Sequence, residues 1–522
     1  MPEDSEIFTN AAKSTGTFAI QGVLNTTLGA VLFMYMARVL TKEELGIYAA
    51  INILIAVAPW IALIAMDVAM ARFIPKLLGE RKSSMASATA KRILIITISC
   101  SLLLTFFLLV ISPILSNYML GSARYTWFFQ LASIIVFASA VSTLFDSLLQ
   151  GLRQFEKLAL FRLISQVVRV VSTAYLLALG LGVAAPLIGS IIVSVTLIAF
   201  ILPTAIRTLF LASSSKSVPA KELFSFSLPV LGQRLIAFAS DSVDKLIVLS
   251  ALTVETLGVY SVALTGAFLI PSLLGLPILT TLMPSMSESY GKFGTKSINE
   301  AIKLSIRYTA ITFIPLSLTL AALSPLAIQI LAGPAYDQAA LPLTIICLGV
   351  SLSGFSAVLS SALTALGKTG RIMVAIALTT TAGLITALFL TNIFGIIGAA
   401  ASRALMHFAL LTALAVLSSK LIPLNFDIKF LARSLAASSA VAIFTFLAAM
   451  TTSFNFTLIP FYLIVALTSY AIFFPLIRAV NLNDIYFIAK AMPFGSSVLN
   501  LSIKIVKSSI PLHQFAKWLL HA

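Results

Sequence analysis

About fourteen apolar runs follow one another between residues 17 and 479 of this 522-residue chain. Each is as long as the roughly 17–25 residues a helix needs to cross a bilayer. Lipid offers no partners to backbone N–H and C=O groups, so runs of this length are expected to be helices. Composition agrees, with 59% of residues hydrophobic and 10% charged, where a soluble domain carries roughly a quarter charged. The expected fold is an all-α polytopic membrane protein with about 14 transmembrane helices. Several runs exceed the bilayer minimum, so tilt or extension beyond the lipid is expected. The first residues are acidic and polar, and no cleavable signal peptide is expected.

Charge placement gives the expected orientation. With the amino terminus cytoplasmic, about 21 cations fall in inner loops, among them Arg72, Lys76, Arg153, Lys216, Lys368 and Lys420. The outer loops hold three, Arg38, Lys42 and Arg124. This positive-inside bias predicts a multi-pass protein of the cell membrane with both termini cytoplasmic. The net charge of +16 is mostly this bias plus attraction to anionic lipid. Cations scattered over many short loops do not suit nucleic acid, and no nucleic-acid partner is expected.

The stretch Leu40-Thr41-Lys42-Glu43-Glu44-Leu45-Gly46-Ile47-Tyr48 returns ungapped as Leu252-Thr253-Val254-Glu255-Thr256-Leu257-Gly258-Val259-Tyr260, with six of nine positions identical. The offset of 212 residues is too long for a solenoid unit and fits two halves of one membrane bundle. An even number of helices between the copies makes both halves face the same way, with Gly46 and Gly258 expected at the outer face. A weaker echo aligns Gly151-Leu152-Arg153 with Gly367-Lys368 at inner turns. The expected organisation is a six-helix lobe over 1–212, a second over 223–420, an additional helix pair over 421–480 and a basic cytoplasmic tail over 481–522. The polar, proline-containing stretch near 212–222 reads as the linker between lobes. The tail mixes Lys504, Lys507 and Lys517 with apolar residues, as an interfacial helix or a loosely ordered end would.

Catalytic and metal motifs are not evident. Cys100 and Cys347 lie inside predicted spans, and His407, His513 and His521 have no ligand spacing, so neither metal nor cofactor is expected.

The residues Ala37-Arg38-Val39-Leu40, Gly46-Ile47-Tyr48, Arg72-Phe73-Ile74-Pro75 and Leu148 through Phe155 resemble the polysaccharide transporters of the flippase superfamily that also holds the multidrug and toxin exporters. In the second half the resemblance continues through Ser227-Leu228-Pro229, Asp244-Lys245, Gly333-Pro334-Ala335-Tyr336 and the alanine-rich Gly395 to Ala400. It implies two six-helix lobes around a central cavity and outward flipping of an oligosaccharide carried on polyprenyl pyrophosphate. The implied partners are that lipid-linked oligosaccharide and membrane lipid, with glycan-assembly enzymes as candidate further partners.

Ionisable residues inside hydrocarbon cost roughly 2.5–3.5 kcal/mol each on insertion scales and so mark candidate sites. Arg234, Asp241 and Lys245 share one stripe of a helix, which is expected to face a cavity. Arg234 lacks an obvious local partner and reads as a cation for pyrophosphate. Asp241 and Lys245 read first as a pair that neutralises itself, and otherwise as part of the cavity wall. Arg169 and Arg403 either join that cavity or bond across a helix interface. Asp67, Asp244, Arg38 and His407 are gate or coupling candidates: Asp67 as a gate or interhelix bridge near Arg72, Arg38 as an outer gate or a headgroup anchor. His407 reads first as a packed residue, and Asp146 as structural.

The leading expectation is a non-enzymatic flippase working by alternating access. Its rivals are a peptidoglycan-precursor flippase, a cation-coupled drug exporter and, from another class, a membrane glycan polymerase or ligase. Helix one, near 17–39, carries no acid for cation coupling, and the outer loops are too short and uncharged to hold acid/base catalysis.

Overall fold

The computed structural model describes residues 2–210, 216–272, 286, 295–421 and 427–480. The tail over 481–522 and part of the 212–222 linker lie outside the described residues. In the first half run α1 (Pro2–Val39), α2 (Lys42–Leu63), α3 (Met66–Gly79), α4 (Ser83–Leu120), α5 (Thr126–Gly151), α6 (Phe155–Ala178) and α7 (Ala184–Phe210). In the second run α8 (Ala220–Ala251), α9 (Val254–Ile270), α10 (Thr295–Ala322), the short α11 (Ser324–Ala332), α12 (Ala340–Val350), α13 (Ser353–Ala365) and α14 (Thr369–Ser419). The pair α15 (Ile428–Thr451) and α16 (Ile459–Leu476) follows, with α15 packed on α10 and α16 on α15. Twelve segments among the described residues are long and apolar enough to cross a membrane. Adding the second arm of α14 and the shorter apolar α9 brings the crossings to the expected fourteen.

The second arm of α14 exists because of two glycines. Gly395 adopts φ 59°, ψ −138°, a conformation open in practice to glycine alone, and reverses the chain. Three residues on, any Cβ on Gly398 would overlap the Leu390 carbonyl, so the returning arm hugs the departing one. A different break divides α2 from α3. Ile64 and Ala65 both sit in the left-handed region, at φ 48° and 54°, with neither being glycine. Such residues cost roughly 1–3 kcal/mol each and persist only where packing enforces them. Here Leu63, Ala65 and Met66 are fully buried.

The repeated motif starts α2 and α9 in the same way. Thr41 caps α2 by accepting from the Glu44 N–H at 3.2 Å, and the Glu44 carboxylate accepts from the Thr41 N–H at 2.9 Å. Thr253 caps α9 by accepting from the Thr256 N–H at 3.2 Å; the return bond is missing because threonine replaces the glutamate there. The two helix starts then pack on each other. A Cβ on Gly46 would overlap the Val254 carbonyl, and one on Gly258 would overlap the Lys42 carbonyl and stand 2.9 Å from the Gly46 nitrogen. Each copy thus rests its glycine on the first turn of the other, the reciprocal contact that a twofold relation produces. We call this the motif end of the bundle and the opposite side the far end.

Around the motif end lies a core drawn from both halves, in which Met36, Leu40 and Leu45 meet Leu257, Tyr260 and Leu331. Two further cores sit toward the far end. One belongs to α2–α7 and the start of α8, and the other to α10, α13, α14 and the terminal pair. The two halves therefore share one core at the motif end, while at the far end each has its own core and the start of α8 packs on that of the first half. The inner turns also echo each other, in a register two residues from the expected one. Arg153 at φ 58° and Gly367 at φ 70° hold the same left-handed helix-ending position, so Arg153, and not Gly151, is the partner of Gly367.

Candidate functional site between the halves

Helix α8 carries a polar stripe toward the first half. Arg234 and Asp241 are two turns apart and Lys245 one turn further, so an α-helix aligns all three. Both ends of the stripe meet first-half helices, which fixes its direction. At mid-depth, Arg234 donates through Nη1 and Nη2 to the two Asp67 carboxylate oxygens, at 2.9 and 2.7 Å. Asp67 is 8% exposed and Arg234 26% exposed. The α2/α3 break places Asp67 in the first turn of α3, where unpaired N–H groups favour a carboxylate. Beside the bridge, Ser227 Oγ donates to the Ala65 carbonyl at 3.3 Å. Arg72 does not pair with Asp67; its guanidinium stacks 4.2 Å above the Phe226 ring. The bridge and both flanking contacts join α3 to α8, and so one half to the other.

Toward the motif end, Lys245 lines a pocket of about 200 Å³ between the halves. Tyr48 and Asn52 of α2 face it from the first half, and Ser242, Ser261 and Thr265 from the second. Among the described residues neither Asp241 nor any other acid forms an ion pair with Lys245. Asp241 itself is exposed. The expected Asp241–Lys245 pairing is absent there, and the ammonium is left to the pocket.

Arg403 lies elsewhere than the cavity wall. It is 2% exposed and donates to Asp244 through Nε at 2.9 Å and Nη2 at 2.7 Å, and to the Asp241 carbonyl at 2.7 Å. The Tyr260 hydroxyl donates to Asp244 Oδ2, the oxygen that also accepts from Arg403 Nε. With the guanidinium and the carboxylate both buried and multiply bonded, this cluster welds α8, α9 and α14 within the second half. His407 packs beside Phe268 at 6.2 Å between ring centroids, with its Nε2 buried and unpartnered among the described residues. Arg169 on α6 makes one long bond, 3.4 Å to Ser190 Oγ, and its buried Nε has no partner there.

At the motif end, Arg38 donates to the Ile330 carbonyl at 2.8 Å, Lys42 lies 3.7 Å from Glu255, and the Tyr336 hydroxyl donates to the Leu40 carbonyl at 3.4 Å. All three contacts cross between halves and reinforce the glycine seal. Arg38 is thus tied across the halves at the motif end. Gly46 and Gly258 are buried in that closure, not presented outward as their place near a turn implied. Asp146, expected to be structural, is bound by Arg162 and Gln150 near the far end.

Tyr48 and Asn52 were not legible as pocket residues. A signal existed in the repeat itself. At the same offset of 212, Asp244 has Leu32 as its counterpart and Tyr260 has Tyr48. The first half lacks the acid that Tyr260 binds, so Tyr48 keeps its hydroxyl for the pocket.

A family model described as "Polysaccharide biosynthesis protein" matches residues 35–341. Stage V sporulation protein B of Bacillus subtilis (strain 168) is 26% identical over 307 residues, which are 53% of this chain and 58% of that protein. The match thus spans less than two thirds of that relative. Among solved structures, the lipid II flippase MurJ in its inward closed conformation aligns with a TM-score of 0.69 at 17% identity, over 87% of this chain and 97% of that one. A Vibrio cholerae MATE transporter, VcmN, aligns at 0.55 and 17% identity, over 80% and 98%. The matched stretch runs from α1 into α12 and includes both copies of the motif, the Asp67–Arg234 bridge and Lys245. The chain belongs to the polysaccharide biosynthesis protein family and is a polytopic membrane protein with the fold shared by flippases and transporters of the MOP superfamily.

Proposed function

We propose that this protein flips a polyprenyl-pyrophosphate-linked oligosaccharide from the cytoplasmic to the outer leaflet of the cell membrane. The observation that carries the reading is Lys245, a cation with no ion-pair partner among the described residues, in a polar pocket between the halves. A large polar headgroup cannot cross hydrocarbon with its hydroxyls unpartnered. The pocket hydroxyls and the Asn52 amide supply partners, and Lys245 supplies charge for a phosphate. The polyprenyl chain stays in lipid while the headgroup passes between the halves.

The far end, richer in Lys and Arg, faces the cytoplasm in this reading, and the motif end faces out. The two halves move as lobes about the motif, and the state described above is sealed outward. Its pocket of about 200 Å³ is below the roughly 300–1,000 Å³ of ordinary ligand sites, so the full headgroup enters only when the lobes part. The rival cargo is a peptidoglycan precursor, since the fold is shared with a lipid II flippase. The test is a reconstituted flipping assay with defined lipid-pyrophosphate sugars, run with and without ion gradients. Flipping of lipid-linked oligosaccharide in preference to lipid II supports the reading. Preference for lipid II replaces it with the rival, and flipping of neither rejects both.

A further inference from the structure

Of the three arginine–aspartate pairs among the described residues, Arg162–Asp146 lies near the far end and the other two lie deeper, with the same chemistry in different surroundings. Arg403–Asp244 is 2% exposed on both sides and lies within the second half. Arg234–Asp67 joins the two halves, and its arginine is 26% exposed. Of these two deeper pairs, the second alone has a guanidinium that an entering group can reach. At a rise of about 1.5 Å per residue, both Asp67 and Arg234 stand about 20 Å from the far ends of their helices. Arg234 is also the deepest cation on the far side of the α8 stripe, some 16 Å short of Lys245 at that same rise.

We infer that the Asp67–Arg234 bridge is a latch that the cargo's phosphate opens, by taking Arg234 away from Asp67. The inference rests on the flippase reading for its ligand. A phosphate presents the same forked acceptor geometry as a carboxylate and carries more charge, and arginine suits both. Asp67 takes the Nη1–Nη2 edge of the guanidinium, and its carboxylate, left in place, repels a phosphate at the remaining Nε edge. A phosphate therefore binds better where the bridge is broken, and a ligand shifts a protein toward the state it binds better. Breaking the bridge removes the charged link between α3 and α8, leaving the Ser227–Ala65 bond and the packing of Arg72 and Phe73 on Phe226 to hold that side. The helix break at Ile64–Ala65 directly precedes Asp67, so α3 can swing without dragging α2 and its glycine seal. Entry of the headgroup would thus loosen the far side while the motif end stays shut. Asp241, between the two cations, keeps the phosphate at Arg234 until the lobes rearrange.

The test uses the full chain in nanodiscs, with inorganic pyrophosphate as the probe. Opposite outcomes are expected from the two partners. Asp67→Asn releases Arg234 and should bind pyrophosphate about tenfold more tightly, while Arg234→Gln should bind about tenfold more weakly. A merely structural bridge would weaken both variants alike, and that result would overturn the latch. A second measurement needs neither variant. Spin labels at Lys76→Cys and Glu222→Cys, with Cys100 and Cys347 replaced by serine, report the α3–α8 separation. Pyrophosphate should lengthen that distance, and an unchanged distance would also overturn the latch. A protein that flips its lipid while the distance ignores pyrophosphate loses the latch and keeps the flippase reading. A pyrophosphate response without flipping does the reverse.

Discussion

Lys245 and Arg403 are both cations inside the membrane, and their surroundings assign them opposite duties. Removing one partner of a buried, fully bonded pair strands the other, at a cost of roughly 3–5 kcal/mol. Arg403→Leu should therefore lower the unfolding temperature in detergent sharply, and Arg403→Leu combined with Asp244→Leu should restore much of the loss, because no charge is then left alone. If the single and double variants melt together, the cluster is not a weld. Lys245→Gln breaks no described ion pair and should shift stability by no more than about 0.5 kcal/mol, while flipping falls at least tenfold. Retained flipping in a stable Lys245→Gln protein would remove that residue from the site. The stripe holding Arg234, Asp241 and Lys245 was legible because helical spacing alone aligns them. Their partners were not. Asp67 lies 167 residues from Arg234, and Arg403 lies 159 from Asp244. Local sequence reports which face of a helix is polar, and only the tertiary fold decides which face meets it.

Helix starts and breaks carry the geometry at the next scale. The capping threonines and the paired glycines were visible as a repeat, and the number of crossings followed from the lengths of the apolar runs. The reciprocal contact was not visible, because glycine near a turn reads equally as a loop residue or as a place where two backbones touch. The packing makes a distinct expectation. Gly46→Leu must push α2 away from Val254, and overpacking of this kind costs roughly 1–3 kcal/mol. The seal should leak as a result. A Tyr48→Cys probe in the pocket should react slowly with a bulky thiol reagent when Gly46 is kept, and much faster with leucine there. Adding Gly258→Leu should change little further, since residues that share one contact do not act additively. Equal and independent effects of the two glycines would show that each packs against something else. The non-glycine break at Ile64–Ala65 had no signal in the sequence, since its residue types are ordinary for a helix. It exists because burial of Leu63, Ala65 and Met66 enforces it.

The fold as a whole sorts charge by end. Lys76, Lys82, Arg153 and Lys368 gather at the far end, whereas the motif end keeps Arg38, Lys42 and Arg124, the first two engaged across the halves. The proposed orientation rests on this asymmetry, because cations are enriched on the cytoplasmic side of a bilayer. It also follows that both copies of the motif face the same side, since an even number of crossings separates them. Cysteines make both claims measurable in a background without Cys100 and Cys347. Arg124→Cys and Glu255→Cys, one in each half and both exposed at the motif end, should react with an impermeant thiol reagent on intact cells. Lys76→Cys and Lys368→Cys, exposed at the far end, should react only after permeabilisation. Reversal of all four would invert the orientation and leave the two halves parallel. Arg124 and Glu255 reporting opposite sides would break the parallel relation itself, and with it the reciprocal glycine seal about which the lobes are proposed to rock.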